Sequence, residues 1–291
     1  MRLNSHTITP LGNSKRRKFG QVFRVEDTDT GQLYVLKTAK KGMVSEQALE
    51  QLKNEHRFTF LHTELPRVVN FDETGEQISL LLQYQPGIGV AEFWETIPKK
   101  KRLEFTRQFV TKTAQLLDVI HSQEIFHCDL KPSNFLIEGT LENFRVHLID
   151  FGMAVHQQTD KSRSLIFPLG FAAPELILNR IDLINPTTDY FALGITIYRL
   201  WTGKLPLAHT NPSVFTNLQL AHPIPADSSM PRQLNEWIQH VCFKPQWRTA
   251  PNLMSREEVT HTLLKSFDRR YTSSSALIDA INQVKEKRFF W

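Results

Sequence analysis

One stretch of this chain constrains the fold more than any other, because it carries three oxygen-bearing side chains on loops next to apolar runs. Residues 127–152 read His-Cys-Asp-Leu-Lys-Pro-Ser-Asn-Phe-Leu-Ile, then a polar turn, then Val-His-Leu-Ile-Asp-Phe-Gly. The two apolar runs around the turn predict a β-hairpin. Asp129, Asn134 and Asp150 then lie on loops at strand ends, where a rigid scaffold can hold reactive groups. Such groups can bind a metal–phosphate complex, which predicts a nucleotide site.

Length and composition indicate a globular protein with a substantial core. The chain has 291 residues, enough for two ordinary domains or one large bilobal one, and 41% of them are hydrophobic. Its two cysteines, Cys128 and Cys242, are too few for a disulfide framework, which suits a reducing compartment. No apolar run reaches the ~18 residues of a membrane span, and the first residues lack a signal-peptide core. We therefore expect a cytoplasmic protein without a membrane span.

The charge pattern favours small acidic ligands over nucleic acid. The formal net charge is +5, but the basic residues are spread along the chain, so we expect no nucleic-acid partner. Two dense clusters stand out, at 15–18 and 99–102. We interpret both as solvated loop charges, with a phosphate- or partner-binding patch as the alternative.

The periodicity of apolar residues predicts a β-rich first part and a helical second part. In the first part we predict strands at 6–11, 19–26, 32–39, 68–71 and 78–84, and one helix at 45–61 with Ser45 as its N-cap. Pro86, Gly87 and Gly89 make 83–89 the candidate hinge. Beyond it we predict helices at 101–123, 188–203, 233–243, 256–267 and 275–287, the second apolar all round and therefore buried. We expect the aromatic residues 289–291 to dock against the protein body rather than anchor a partner.

The two loops resemble the catalytic and metal-binding loops of the eukaryotic-type serine/threonine protein kinase family. Other motifs of that family follow in register over nearly the whole chain: a strand lysine at Lys37, its carboxylate partner at Glu55, Ala-Pro-Glu ending at Glu175, a buried helix starting at Asp189, and a late arginine at Arg270. The resemblance implies an α+β, bilobal fold in a single kinase domain, 1–291. It implies a small β-rich N-lobe at 1–84, the hinge at 83–89, and a larger, mainly helical C-lobe at 88–291.

The resemblance also implies roles for individual residues in phosphoryl transfer from ATP. The catalytic set is Asp129 as base, Lys131 beside the γ-phosphate, and Lys37 on the α- and β-phosphates, held by Glu55. The metal ligands are Asn134 and Asp150, for Mg²⁺ with Mn²⁺ as the alternative. ATP would lie between the lobes. Its binding set is Gly12, Phe19, Gly20, Val22, Val35, Lys37, Leu82, Gln83, Gln85 and Leu136, with the backbone near 83–85 on the adenine edge.

Two of these assignments have a rival nearby in sequence. Glu50 lies on the same predicted helix as Glu55, and we prefer Glu55 because the residues after it match the family's helix exit. Arg248 also follows a proline-containing helix end, but only Arg270 has the later Ser and Leu at the family's offsets. If Arg270 pairs with Glu175, residues 247–256 form an insertion or an extended loop.

The glycine-rich loop departs from the family pattern. Phe-Gly-Gln-Val at 19–22 keeps its end, but Arg17 and Lys15 stand where the earlier glycines would be, with Gly12 as a substitute if the tip is longer. We expect altered rather than absent ATP binding.

Two further departures concern the catalytic and activation segments. Cys128 stands where the family has an arginine that binds a phosphate on the activation segment through charge-assisted hydrogen bonds. We therefore predict that phosphorylation of Thr159, Ser162 or Ser164 is not an obligatory switch. The threonine expected before Ala-Pro-Glu is also missing, as 168–172 read Pro-Leu-Gly-Phe-Ala.

These motifs favour an ATP- and Mg²⁺-dependent protein kinase that acts on serine or threonine hydroxyls of an unidentified protein substrate. Lys131-Pro132 resembles the serine/threonine branch rather than the tyrosine branch. A small-molecule kinase on the same fold is the second enzyme class, although such proteins normally lack Ala-Pro-Glu. A pseudokinase that binds nucleotide as a scaffold is the non-enzyme alternative, favoured by the altered glycine loop.

Overall fold

The computed structural model describes residues 6–11, 20–158 and 167–285. The chain divides into two compact units. Unit 1 comprises Met1–Gly87 together with His147–Ala154, and unit 2 comprises Ile88–Val146 and Val155–Trp291. The division after Gly87 falls inside the segment 83–89 in which we placed the hinge. Residues 147–154, which contain Asp150, belong to unit 1 although they follow the catalytic-loop sequence in the chain.

Unit 1 is an antiparallel five-stranded sheet with one helix, and its strand order is β1-β2-β3-β5-β4. The elements are β1 (His6–Pro10), β2 (Gln21–Asp27), β3 (Leu33–Lys40), α1 (Glu46–Glu55), β4 (Val68–Glu73) and β5 (Gln77–Gln83). All five predicted strands are therefore present, with ends shifted by at most two residues where they are described. Leu49 and Leu52 of α1 pack on the sheet face that carries Ile78 and Leu80, which forms the core of this unit.

The prediction for α1 was right at its start and wrong at its end. The Ser45 hydroxyl accepts a hydrogen bond from the Ala48 N–H at 3.2 Å, so Ser45 is the N-cap. The helix ends at Glu55 instead of continuing to residue 61. Phe58 is buried in the following loop, whereas Leu61 is 94% exposed and lies on no buried helix face. The apolar spacing looked helical because a buried loop also needs apolar side chains, which pack here without helical geometry.

Unit 2 is larger and mainly helical. Its helices are α2 (Val90–Thr96), α3 (Arg102–His121), α4 (Pro174–Ile177), α5 (Pro186–Thr202), α6 (Pro212–Ala221), α7 (Arg232–Val241), α8 (Arg256–Phe267) and α9 (Ser274–Gln283). Its short strands are β6 (Ile88–Gly89), β7 (Ile125–Phe126), β8 (Phe135–Gly139), β9 (Phe144–Leu148) and β10 (Val155–His156), and the last two residues of β9 belong to unit 1. The predicted hairpin is β8–β9. A β-rich first part followed by a helical second part confirms the predicted α+β fold class.

Helix α5 forms the centre of unit 2, as its apolar sequence predicts. Most of its residues are buried, including Tyr190, Phe191 and Leu193. Asn185 caps its start and Gly203 ends it with φ +71, a left-handed conformation that glycine adopts without strain. Each cap is local in sequence, which explains why the boundaries were predictable to within two residues.

The prediction from sequence missed three helices and misplaced the end of another. Helices α2 and α4 are only seven and four residues long, too short for a periodicity signal. Helix α6 lies in a proline-rich stretch, but Pro212 occupies its first turn, where no N–H is required. Helix α9 ends at Gln283 rather than at 287. The aromatic residues 289–291 lie outside the described residues. No helix in the described part of the chain is long and apolar enough to cross a membrane.

Candidate active site

In unit 1, Lys37 lies at the centre of a cluster of three charged side chains. Its ammonium nitrogen is 2.7 Å from both carboxylate oxygens of Glu55 and 3.5 Å from Oδ1 of Asp150. Glu55 is almost completely buried, while the rival candidate Glu50 pairs with the partly exposed Lys53 on its own helix. The structure thus brings together the predicted pair and selects Glu55 over Glu50 as the partner of Lys37.

The cluster holds Lys37 in its charged form. Burial by itself would lower the pKa of this lysine, but the carboxylates of Asp150 and Glu55 more than offset that effect, and the pKa is raised above its ordinary value. A permanently charged ammonium group works as a point charge on phosphate oxygens. Its position is set by a buried carboxylate on α1 and by the strand β3.

The sheet register puts several predicted nucleotide-binding residues on one face of unit 1. Val22 of β2 is directly opposite Lys37 of β3, and Val35 is opposite Leu82 of β5. Directly opposed residues in a sheet point to the same side, and so do residues two apart on one strand. Val22, Val35, Lys37 and Leu82 therefore share a face. This is the face against which α1 packs farther along the sheet.

Gly20 is required at the start of β2 for a structural reason. Its φ is +99, and a Cβ at this position would lie 2.2 Å from the carbonyl oxygen of Thr38. Only glycine fits such a position. The other residues predicted for this loop, Gly12 and Phe19 together with Lys15 and Arg17, lie outside the described residues.

The segment that carries Asp150 is anchored to α1 within unit 1. The side-chain amide of Asn54 donates hydrogen bonds to the carbonyl oxygens of Gly152 at 3.1 Å and Ala154 at 2.8 Å. Phe151 packs against Phe60, with ring centroids 4.9 Å apart. Asp150 itself has a φ of +68. Asn54 was not among the predicted site residues, although its place one residue before Glu55 on the helix is the signal that could have indicated it.

In unit 2, the catalytic-loop residues form a compact group around the buried Asp129. Lys131 Nζ donates to Oδ2 of Asp129 at 2.6 Å. The Asn134 amide nitrogen donates to the Asp129 carbonyl at 2.8 Å and to its Oδ2 at 3.1 Å. Because the amide nitrogen of Asn134 faces Asp129, its oxygen is directed elsewhere, where the Ser133 hydroxyl lies 3.2 Å away. That orientation leaves a carbonyl oxygen suited to a hard cation.

A buried carboxylate, Asp189, fixes the backbone just before Asp129. It accepts hydrogen bonds from the N–H groups of His127 at 2.9 Å and Cys128 at 2.8 Å, and from His121 Nε2 at 2.9 Å. Burial alone would raise the pKa of Asp189, but these donors, His121 first, hold it below its usual range. Asp189 was predicted as the start of a buried helix, not as a support for the catalytic loop. The sequence signal that could have indicated this supporting role is an acidic residue at the start of an apolar helix.

Backbone conformation marks both loops. Four non-glycine residues of the described chain have positive φ, and two of them are Cys128, at +61, and Asp150, at +68. A left-handed conformation costs roughly 1–2 kcal/mol for a side chain with a Cβ. Such strain persists where the surroundings over-determine it, and it concentrates at functional sites. Here it orients Asp150 itself and the peptide leading into Asp129.

The predicted adenine-edge segment is partly occupied by contacts inside unit 1. The N–H of Gln83 donates to Arg67 O at 2.9 Å, and the N–H of Tyr84 donates to Leu33 O at 3.2 Å. The Gln85 side chain is buried, donating to Leu65 O and accepting from His147 Nδ1. Gln85 thus has a structural role that the sequence did not reveal. Leu136, predicted for the same site, lies on β8 in unit 2 opposite Gly89.

The structure decides between the two candidate partners of Glu175. Arg270 Nη1 and Nη2 donate to the two carboxylate oxygens of Glu175 at 2.8 and 3.2 Å, and both side chains are fully buried. The predicted choice of Arg270 is confirmed, and Arg248 is exposed. Residues 247–256 contain a short 3₁₀ turn, Pro251–Leu253, before α8 begins.

Comparison with known proteins agrees with this geometry. The family described as protein kinase domain matches residues 12–280. The chain belongs to the protein kinase family. Similar proteins include Aurora kinase B of Mus musculus, 24% identical over 275 residues that make up 92% of this chain and 75% of that protein. Another is Aurora kinase A-A of Xenopus laevis, 27% identical over 202 residues, which are 68% of this chain and 47% of the relative.

A third similar protein is the maternal embryonic leucine zipper kinase of Danio rerio, 33% identical over 168 residues. The match covers 56% of this chain and 23% of that protein, so this chain spans less than half the length of two of the three relatives. The predicted membership in the serine/threonine protein kinase family is confirmed. A kinase domain implies ATP as phosphate donor, generally with a divalent metal, and a protein substrate.

Proposed function

We propose that this kinase domain transfers the γ-phosphate of ATP to serine or threonine hydroxyls in an Mg²⁺-dependent reaction. The observation that carries the proposal is the complete set of charged and polar groups that this chemistry needs, each held by its own unit. Unit 1 holds Lys37 on Glu55 at 2.7 Å. Unit 2 holds Lys131 on Asp129 at 2.6 Å. A chain that only bound nucleotide would not require the Lys131–Asp129 pair.

The oxygen donors of this chain fit Mg²⁺. Asp150 offers a carboxylate and Asn134 offers an amide oxygen turned away from Asp129. Mg²⁺ in phosphate-transferring sites is held by one or two such side chains together with phosphate oxygens. We assign Asp150 and Asn134 as the ligands. When bound, the metal neutralises charge on the phosphate oxygens.

Asp129 orients the substrate hydroxyl and accepts its proton late in the transfer. The hydroxyl oxygen forms a bond to the γ-phosphorus, while the bond from that phosphorus to the bridging oxygen breaks and ADP leaves. Lys131 supplies positive charge beside the transferred group, and Lys37 holds the α- and β-phosphates. In unit 1, Val22 and Val35 contact the adenine, with Leu82 behind it and backbone groups of 83–85 on its edge. A cytoplasmic location and the absence of a nucleic-acid partner remain predictions.

A transfer assay with active-site variants tests the proposal. The purified chain is incubated with radiolabelled ATP, Mg²⁺ and generic protein substrates, next to Asp129→Ala, Asp150→Ala and the exposed-residue control Asp72→Ala. We expect Asp129→Ala to lose roughly 10²–10⁴-fold in rate, the usual worth of a positioned proton-transfer group. We expect Asp150→Ala to lose activity because it removes a metal ligand, and Asp72→Ala to retain full activity.

Two results would contradict the proposal and identify its rivals. No transfer by the unaltered chain, with Mg²⁺-ATP still raising the melting temperature, indicates a pseudokinase. Transfer to small metabolites but to no protein indicates a small-molecule kinase. Equal rates for Asp129→Ala and the unaltered chain would remove Asp129 from the mechanism.

A further inference from the structure

The side chain of Asn54 joins helix α1 to the segment 150–154, which carries the proposed metal ligand Asp150. Asn54 is buried, with 2% of its surface exposed. Its amide nitrogen donates to the carbonyl oxygens of Gly152 at 3.1 Å and Ala154 at 2.8 Å. A side-chain amide has two N–H donors, so both are used on this one segment. The two hydrogen bonds connect residues 98 and 100 positions apart, and both ends lie in unit 1.

A third hydrogen bond fixes the orientation of this amide. Arg57, just beyond the end of α1, donates from Nη1 to the side-chain oxygen of Asn54 at 2.9 Å. A flipped amide would turn its oxygen toward two carbonyl oxygens and its N–H groups toward a guanidinium, which can only donate. Asn54 therefore has one favourable orientation, in which both donors face the segment 150–154. A side chain of the same size without N–H donors cannot replace it.

Close packing holds the same segment against α1. A Cβ at Gly152 would lie 3.3 Å from Oδ1 of Asp150 and 3.3 Å from both Cβ and the carbonyl oxygen of Gln51. These separations are shorter than ordinary van der Waals contact, so glycine is what lets the segment approach the helix this closely. The Gln51 side-chain amide also donates to Sδ of Met153 at 2.9 Å. Gln51 and Asn54 are three residues apart and share one face of α1, which thus holds residues 150–154.

The conformation of Asp150 makes this support important for metal binding. Asp150 has a φ of +68, and such a backbone persists only where its surroundings hold it. Its side chain is 43% exposed, so burial alone does not fix the carboxylate. Mg²⁺ requires near-ideal octahedral geometry, so a small displacement of a ligand oxygen weakens its binding. We propose that Asn54 is a positioning residue that holds Asp150 where Mg²⁺–ATP needs it, an inference that rests on the proposed function.

Direct binding of the fluorescent analogue N-methylanthraniloyl-ATP to the full chain tests this role without turnover. Its dissociation constant is measured in EDTA and in saturating Mg²⁺, and the ratio of the two values is the metal contribution. Asn54→Leu keeps a similar volume but has no donors, and we expect it to lower this ratio at least roughly tenfold, the usual effect of removing the support of a metal ligand. The dissociation constant in EDTA should change less than about twofold, because Lys37 and Glu55, which serve the phosphates without metal, are unaltered.

Two further variants separate positioning from a general loss of stability. Val25 lies in the apolar cluster with Tyr34 and Leu81, on the sheet face opposite α1. Val25→Ala destabilises unit 1 through lost apolar packing without touching residues 150–154, and it should keep the metal contribution of the unaltered chain. Asn54→Asp keeps the shape and an acceptor for Arg57 but turns an oxygen toward the two carbonyls, so it should lower the metal contribution as Asn54→Leu does.

The possible results separate this role from the proposed function. An unchanged metal contribution in both Asn54 variants would overturn the positioning role and leave the proposed function intact. An equal fall in Val25→Ala would also overturn it, because the effect would then follow stability alone. A ratio near one in the unaltered chain would instead remove Mg²⁺ from the proposed function, and the role of Asn54 would fall with it.

Discussion

Replacing Arg270 with alanine should unfold unit 2 far more easily, whereas the same change at Arg248 should not. Arg270 donates to both carboxylate oxygens of Glu175 and, through Nε, to the Phe243 carbonyl at 2.9 Å. Its guanidinium also lies 5.0 Å from the ring centroid of Phe191. Removing it leaves a fully buried carboxylate whose remaining partner among the described residues is the Thr188 hydroxyl, which donates to it at 2.9 Å.

The expected loss follows from that isolated carboxylate. Removing one member of a buried ion pair costs about 3–5 kcal/mol, mainly the penalty for an uncompensated buried charge. For a unit of this size, each kcal/mol lowers the melting temperature by roughly 2–4 °C. Arg270→Lys should recover only part of the loss, because an ammonium group cannot make the paired hydrogen bonds of a guanidinium.

Urea unfolding at 25 °C, followed by circular dichroism, measures the effect. Arg248→Ala should lie within about 0.5 kcal/mol of the unaltered chain, as expected for an exposed site. The double variant Glu175→Gln with Arg270→Met should be less destabilised than Arg270→Ala, because no unpaired charge remains. A loss below about 1 kcal/mol for Arg270→Ala, or an equal loss for Arg248→Ala, would refute the reasoning.

Three other predictions follow from particular contacts. Glu55→Gln should lower kcat/KM for a peptide substrate roughly 10–100-fold, because a charged hydrogen bond to Lys37 is worth about 1.5–3 kcal/mol. Glu50→Gln is the matched control, and an equal loss in both variants would contradict the assignment of Glu55 as the partner of Lys37. Replacing Thr159, Ser162 and Ser164 together with alanine should leave most of the kinase activity, because Cys128 has no positive charge with which to bind a phosphate on the activation segment. A collapse of activity in this triple variant would contradict the prediction that phosphorylation there is not an obligatory switch. Burial lowers the pKa of Lys244 from its ordinary value of 10.5 to about 7. Between about pH 7 and 10.5 the unfolded chain therefore carries a proton on this lysine that the native chain lacks. The free energy of unfolding consequently rises with pH in this range. Lys244→Met should flatten that rise and stabilise the protein at pH 6 by about 1–3 kcal/mol, and denaturant titrations showing an unchanged rise would exclude this role.

Local features of the sequence determined most of the secondary structure and the chemistry. The strands of unit 1 were predictable because alternation of apolar and polar residues is a property of a few neighbouring positions. Helix α8 was predicted with its observed bounds, since Ser255 and Glu258 form a capping box within four residues. The loops carrying Asp129 and Asp150 were found because phosphoryl transfer restricts which side chains can serve.

The tertiary structure alone decided which distant residues meet. Glu175 and Arg270 are 95 positions apart, and an arginine 22 residues earlier was a reasonable rival until packing buried one and exposed the other. Asp189 supports the catalytic loop although it lies 61 residues after Cys128, and the periodicity of apolar residues could not predict this contact. The apolar spacing around Phe58 was misleading for the same reason, because a buried loop and a helix both need apolar side chains. Sequence patterns record local backbone preference, whereas burial and pairing of charges depend on the whole fold.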